Sequence, residues 1–198
     1  MFFVFFCVNG NVGELRLTTA PTARPDKVAS TRALDADIDS LAAALDKFPG
    51  AVAVVANDWP FYFGLDIIRR ECGRFGTRIV NVVNTVGGTK EQAIFHFMSR
   101  RSEPYVVLAS TDFEFTERSA QKRIDIAPKT GIGGAELHTL RRHLRQADEQ
   151  ALKPVSTDEV LRATVGASSL RRARQIASPL QFPYDKAFQR RLGVWRPQ

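Results

Sequence analysis

The sequence predicts an α/β fold: a single layered α/β domain with a C-terminal helical extension. Between residues 35 and 115, runs with a helical repeat alternate with short apolar runs, the pattern of α/β domains. The clearest unit extends from Ala51 to Val86, where an amphipathic run separates two β-branched runs. A hydrophobic content of 44% in 198 residues is enough to form one core with an extension.

The N-terminal part is predicted to form two short strands followed by an extended arm. Met1 to Val8 is apolar and runs into Asn9-Gly10, a turn signal typical of hairpins, before a second strand ending near Leu17. Residues 18–25 are rich in Thr, Ala and Pro and indicate an arm. Lys27 to Lys47 then has a helical repeat of apolar residues.

The middle helix is predicted over Phe61 to Phe75, between strands at Ala51–Ala56 and Arg78–Val86. Pro60 suits a first helical turn, and Gly76 suits a left-handed C-terminal cap. Its apolar stripe comprises Phe61, Leu65, Ile68, Cys72 and Phe75.

A third helix and strand follow. Thr89 and Gln92 form a capping-box pattern that opens a helix over Lys90 to Arg101. Tyr105 to Ala109 is predicted as a buried strand, and Lys122 to Gly134 as a loop. The residues predicted to face inward from the helix are Ile94, Phe95 and Met98.

The C-terminal part is predicted to be helical and basic. One helix carries an apolar stripe through Leu137, Leu140, Leu144, Ala147 and Ala151, with arginines on its other faces. A second capping-box pattern at Ser156 and Glu159 opens a helix reaching about residue 177. These predictions divide the chain into an N-terminal arm at 1–26, an α/β domain at 27–133 and a helical extension at 134–198.

The charge distribution favours an acidic partner, most simply a nucleic acid. The net charge is +7, and the stretch from Ala135 to Gln198 holds 12 Lys or Arg against 6 Asp or Glu. The apolar run Met1 to Val8 is too short to span a bilayer, so no membrane partner is expected. Whether residues 1–26 are the remnant of an organelle-targeting sequence stays open.

Two short motifs are candidates for phosphate or metal chemistry. Gly87-Gly88-Thr89-Lys90 follows a strand and opens a helix, so it is either a phosphate-binding turn or a tight turn with an N-cap. Asp112 and Glu114 follow the strand at Tyr105 to Ala109. They resemble the acidic pair with which nucleotide-sugar glycosyltransferases hold a divalent cation against a diphosphate.

A resemblance of wider extent covers residues 27 to about 115. Four segments occur in the order and spacing of a known domain: the helix with Lys27 and Leu41, the strand Ala51 to Ala56, the segment Ile68 to Gly76, and Val82-Val83-Asn84-Thr85-Val86. Together they resemble the RNA-binding domain of the ribosomal stalk-base family, bacterial large-subunit protein ten. Val83 departs from the family, which has a lysine there. Trp59-Pro60 replaces the usual glycine.

The resemblance implies a structural constituent of the large ribosomal subunit rather than an enzyme, without catalytic residues, cofactors or metal. It implies partners in rRNA, in neighbouring large-subunit proteins and in the dimeric stalk proteins. The ribosome would be mitochondrial, with cytoplasmic and plastid ribosomes as alternatives. The expected RNA contacts are Arg69, Arg70, Arg74, Asn84, Thr85 and Lys90. The expected docking residues for the stalk proteins are Leu137, Leu140 and Leu144.

The alternative function is a metal-dependent glycosyltransferase-like domain that uses nucleotide sugars through Asp112 and Glu114.

Overall fold

A five-stranded parallel sheet forms the centre of the chain in a computed structural model that describes residues 1–15, 32–83 and 88–164. The strand order is β3-β2-β1-β4-β5, and every pairing is parallel. The predicted α/β class is therefore confirmed. The predicted arm at residues 18–25 lies outside the described residues, as do Lys27, Asn84, Thr85 and everything beyond residue 164.

The strands are β1 Phe2–Cys7, β2 Ala51–Val55, β3 Ile79–Val82, β4 Tyr105–Ser110 and β5 Arg123–Ile126. The helices are α1 Asp35–Leu45, α2 Leu65–Glu71, α3 Gly73–Gly76, α4 Lys90–Met98, α5 Gly134–Gln146, α6 Glu149–Leu152 and α7 Thr157–Thr164. Two 3-10 turns occupy Trp59–Phe61 and Glu117–Lys122.

Helices cover both faces of the sheet, because alternate side chains of β1 pack in opposite directions. On one face, the Phe6 ring lies 5.6 Å from that of Phe75 in α3 and joins a core that includes α1 and α5. On the other face, the rings of Phe3 and Phe5 each lie 5.5 Å from the ring of Phe97 in α4. The six residues of β1 are consequently all buried, as expected for a strand covered on both sides.

The N-terminal strand lies at the centre of the sheet rather than in a hairpin. β1 pairs with β2 on one side and with β4 on the other, so it belongs to the α/β domain and not to a separate arm. Val12 and Leu15 form only an isolated bridge where a second strand was predicted. β5 lies inside the segment predicted as a loop, so that prediction was wrong at Arg123–Ile126.

The middle helix is broken into α2 and α3. Ile68, Cys72 and Phe75 are buried as predicted, whereas Phe61 lies in a 3-10 turn and is 49% exposed. The left-handed glycine is Gly73, with φ of 50°, and Gly76 is helical, so the predicted cap was misplaced. Gly73 allows the chain to turn between the two short helices.

The chain divides into two compact units, Met1–Ser156 and Thr157–Gln198. The first holds the sheet and the six helices α1 to α6. α7 is the described part of the second. None of the described helices is long and apolar enough to cross a lipid bilayer.

Candidate functional site

The carboxyl ends of the parallel strands define the edge of the sheet where polar side chains collect. The strand order reverses beside β1, since the chain proceeds to β2 and β3 on one side and to β4 and β5 on the other. In open parallel sheets, ligands bind in the crevice at such a switch point, outside the carboxyl ends of the strands. In this chain the switch point lies between β1 and β4.

A buried lysine at the start of α4 is bound to the loop that follows β2. Lys90 begins α4, yet its side chain is only 7% exposed. Its Nζ lies 2.8 Å from Oδ1 of Asp58 and donates a 3.0 Å hydrogen bond to the carbonyl oxygen of Asn57, both just after β2. An ammonium group at this depth requires such a carboxylate partner.

Asn9, just after β1, extends the cluster. Its Nδ2 donates to Oδ2 of Asp58 over 3.1 Å, so the aspartate joins Asn9 to Lys90. Oδ1 of Asn9 is buried and has no hydrogen-bond partner within the described chain. We call Asn9, Asp58 and Lys90 the polar floor of the edge.

The loop after β2 is held rigidly against the end of β1. The side chain of Asn57 donates to the carbonyl oxygen of Val8 over 2.9 Å and accepts from the backbone N–H of Trp59. The indole N–H of Trp59 donates to the carbonyl oxygen of Gly10 over 3.0 Å. Asn57 and Trp59 are fully buried, so these bonds fix the backbone that presents Asp58.

Two aromatic rings from different loops flank Lys90. The ring centroid of Phe61, after β2, lies 5.0 Å from Nζ, and that of Phe113, after β4, lies 5.4 Å away. Both distances are in the range of cation–π contacts. The loops after β2 and β4 therefore meet above the same lysine, on either side of the β1 end.

Asp112 and Glu114 lie on either side of Phe113 in the loop after β4, and we call these two residues the rim of the edge. Both are exposed. Oδ2 of Asp112 accepts from the hydroxyl of Ser110 at 3.4 Å. No lysine or arginine in the described ranges forms an ion pair with either carboxylate.

The donor set on the rim fits a hard divalent cation. Carboxylate oxygens are the ligands that Mg²⁺ and Mn²⁺ prefer, and Mg²⁺ is commonly held by one or two carboxylates together with substrate phosphates. The described residues contain no group of three or more His, Cys, Asp or Glu side chains arranged to hold a metal. Asp112 and Glu114 would thus hold a cation only jointly with an anionic ligand.

Cys7 ends β1 and is fully buried, which disfavours the reactive thiolate form. Burial raises the pKa of its thiol to about 12; the charge of Lys90 opposes this shift and that of Asp58 adds to it. The thiolate is the reactive form of cysteine, and it is scarce five pH units below such a pKa.

The three arginines expected to contact RNA are engaged within the chain. Nε of Arg69 donates to the carbonyl oxygen of Ile79 over 2.8 Å. Arg70 pairs with Glu71 at 2.8 Å. Arg74 pairs with Asp46 at 2.8 Å. These contacts oppose their assignment as RNA contacts, because an anionic partner would have to compete with the chain's own acceptors.

The other expected site residues are distributed differently. Lys90 is buried in the polar floor, and Thr89 caps α4 by accepting from the backbone N–H of Gln92, which confirms the predicted capping box. Asn84 and Thr85 lie outside the described residues. The expected stalk-docking leucines on α5 are 8%, 0% and 0% exposed and belong to the chain's own core, so docking would require their release.

Sequence reasoning missed Asn9 and Asp58. Asn9 was interpreted as part of a hairpin turn, and Asp58 was given no role. The available signal was their position, since each directly follows a buried apolar run that forms a parallel strand.

The fold and this edge define a parallel α/β protein whose topological switch point carries acidic side chains flanked by aromatic rings. No protein-family model, curated protein or solved structure matches the chain.

Proposed function

We propose that the chain binds a nucleoside-diphosphate sugar, together with a divalent cation, at the carboxyl edge of the sheet and acts as a glycosyltransferase. The observation that carries this proposal is the position of Asp112 and Glu114. They are exposed and without a basic partner in the described chain, in the loop after β4, directly beside the switch point. Their resemblance to the acidic pair of nucleotide-sugar glycosyltransferases supports the same function.

The rim and the polar floor would have separate tasks. Asp112 and Glu114 would hold the cation, which when bound neutralises the charge that develops on a diphosphate leaving group. Asp58 at the end of the second strand occupies the place from which an acidic residue accepts hydrogen bonds from a ribose hydroxyl in nucleotide-binding sheets. Its oxygens keep free lone pairs, because each makes one described contact.

Lys90 and the two rings would orient the ligand. The ammonium group holds Asp58 in one rotamer and so presents its carboxylate in a fixed direction. Phe61, half exposed beside Lys90, offers a flat apolar surface on which a base or a sugar ring can pack.

Ligand-dependent thermal unfolding tests the proposal. A ligand present at 100 times its Kd stabilises the folded state by about 2.7 kcal/mol, which raises the Tm of a chain of this size by about 5–11 °C. We expect this rise with Mn²⁺ plus a panel of nucleoside-diphosphate sugars, and a much smaller rise with either component alone.

The control residue lies just before the strand that Asp112 follows. Asp112→Asn is expected to abolish the joint rise, whereas Glu103→Gln, which removes a carboxylate before β4 at the opposite end, is expected to retain it. Absence of any joint rise across the panel would contradict the proposed function.

The ribosomal scaffold stays a prediction, supported by the net charge of +7 and by the resemblance. It requires the chain to sediment with large ribosomal subunits in a sucrose gradient. Co-sedimentation that Arg69→Glu, Arg70→Glu and Arg74→Glu together abolish, with the variant still folded, would favour it over the transferase.

A further inference from the structure

The outward face of α5 carries a cluster of positive charge. At about 100° per residue, His138, Arg141, Arg142 and Arg145 fall within one sector of about 100° on the helix. The adjacent side carries Leu137, Leu140 and Leu144 in the core. Arg142 and Arg145 are exposed, and Arg141 is half-buried at the border between the two sides. We call Arg141, Arg142 and Arg145 the α5 arginines.

The α5 arginines differ in their surroundings from the arginines of α2 and α3, which form ion pairs. Arg32, Arg70, Arg74 and Arg123 each form an ion pair with a carboxylate of the same chain. Within the residues described, no carboxylate pairs with any of the α5 arginines. The basic sector of α5 also contains no acidic residue, since Glu136 faces its other side and accepts from the N–H of Gly133. Uncompensated positive charge is therefore concentrated here rather than on α2 and α3.

The composition around α5 favours a lipid surface over a nucleic acid. Residues 134–164 contain no Phe, Tyr or Trp on which unpaired bases could stack. Leu152, the last residue of α6 and six residues after the end of α5, is 48% exposed and is followed by the exposed Lys153. Basic residues next to an exposed apolar side chain are typical of segments that lie on anionic membranes. Asp148 and Glu149 between them reduce the local charge without reversing it.

We propose that the α5 face binds the phosphate headgroups of an anionic membrane surface. Attraction between the arginines and the headgroups holds the domain at the surface, and Leu152 enters the interfacial layer. This peripheral association requires no spanning segment and goes beyond the proposed transferase function, since it involves a different face from the rim of the sheet.

Co-sedimentation of the full chain with vesicles tests this proposal. We expect binding to vesicles that contain phosphatidylglycerol, weaker binding at higher ionic strength, and little binding to pure phosphatidylcholine. Each basic residue near an anionic surface increases the vesicle-binding constant about fivefold. Arg142→Gln with Arg145→Gln is therefore expected to weaken vesicle binding about 25-fold.

The matched control is Arg70→Gln with Arg74→Gln. It removes the same charge from side chains that are 65% and 69% exposed but paired with carboxylates. We expect it to weaken binding less than about threefold, with circular dichroism verifying that both variants are folded.

Three outcomes would overturn the proposal. The first is no preference for anionic vesicles. The second is an equal loss of vesicle binding in the two variants, which would show that binding depends on net charge alone. The third is a large-subunit rRNA transcript that binds through the α5 arginines and displaces the chain from vesicles, which would assign the face to RNA.

Discussion

Gly76 illustrates how one backbone contact determines a residue type. It has ordinary helical geometry, so its conformation alone would accept any residue. A Cβ at this position would lie 1.8 Å from the carbonyl oxygen of Arg69, which belongs to the backbone and cannot rotate away. The requirement for glycine therefore comes from the close packing of α3 on α2.

We expect Gly76→Ala to lower the free energy of unfolding by about 1–3 kcal/mol, the usual cost of overpacking. Chemical denaturation of the variant measures this loss. Gly64→Ala is the control, because nothing lies within 4 Å of the added Cβ there. Equal stability of the two variants would contradict the close approach.

Among the elements, α4 is tied to the loop after β4 through Glu91. The carboxylate accepts from the backbone N–H of Thr116 at 3.2 Å and from its hydroxyl at 2.8 Å. Burial raises the pKa of Glu91, but hydrogen bonds from Ser119 and Thr116 and the charge of Arg118 outweigh it, so the pKa lies below its ordinary 4.5. This contact holds the loop that carries Asp112.

Because the pKa of Glu91 is lowered in the folded chain, its contribution to stability is present above about pH 4.5 and is lost as the pH falls through the folded value. Glu91→Gln is therefore expected to weaken the acid dependence of the free energy of unfolding between about pH 7 and about pH 3. Urea titrations across this range measure the effect, with the exposed Glu117→Gln as control. An unchanged pH slope in Glu91→Gln would contradict it.

The apolar stripe of α5 forms a second contact between elements. Truncating one of its leucines tests whether this contact stabilises the fold. Leu140 is fully buried against the sheet, so Leu140→Ala is expected to cost about 2–5 kcal/mol of unfolding free energy. Leu152→Ala, at an exposed position, is expected to change it by less than about 0.5 kcal/mol. If thermal unfolding shows equal, small effects of the two substitutions, the stripe does not stabilise the chain and is free to dock a partner.

For the whole molecule, the division into units gives a prediction about truncation. All members of the main core cluster precede residue 152, and the first unit ends at Ser156. A chain comprising residues 1–156 is expected to unfold cooperatively, with a Tm within a few degrees of that of the full chain. Loss of the cooperative transition in calorimetry would show that the core depends on the second unit.

Much of the fold could be predicted because it is encoded in local periodicity. β2, α4 with its capping box, and β4 each carry a complete local signal. β5 was missed because it is short and alternates charged with apolar residues, as strands at the border of a sheet do. β1 was placed in a hairpin because Asn9-Gly10 is a strong local turn signal, while its true partners lie far along the chain.

The candidate site could be predicted only in part, since it depends on contacts between distant residues. Asp112 and Glu114 follow an obvious strand, so their position at a strand end was predictable. The pairing of Arg74 with Asp46 spans 28 residues, and that of Lys90 with Asp58 spans 32, and neither has a periodic signal. Consequently the contacts that the arginines of the middle helix make within the chain could not be predicted from the sequence.

The central place of β1 has a consequence for synthesis on the ribosome. Phe3 pairs with Tyr105. About a hundred further residues must therefore be synthesised before β1, with the sequence Phe-Phe-Val-Phe-Phe-Cys, can pair with β4. At about 5–20 residues per second, that delay lasts roughly 5–20 s. During this interval an uncharged, strongly β-prone hexapeptide is open to pairing between nascent chains. Holding chaperones that shield aromatic segments should therefore decide how much of this protein reaches its native state.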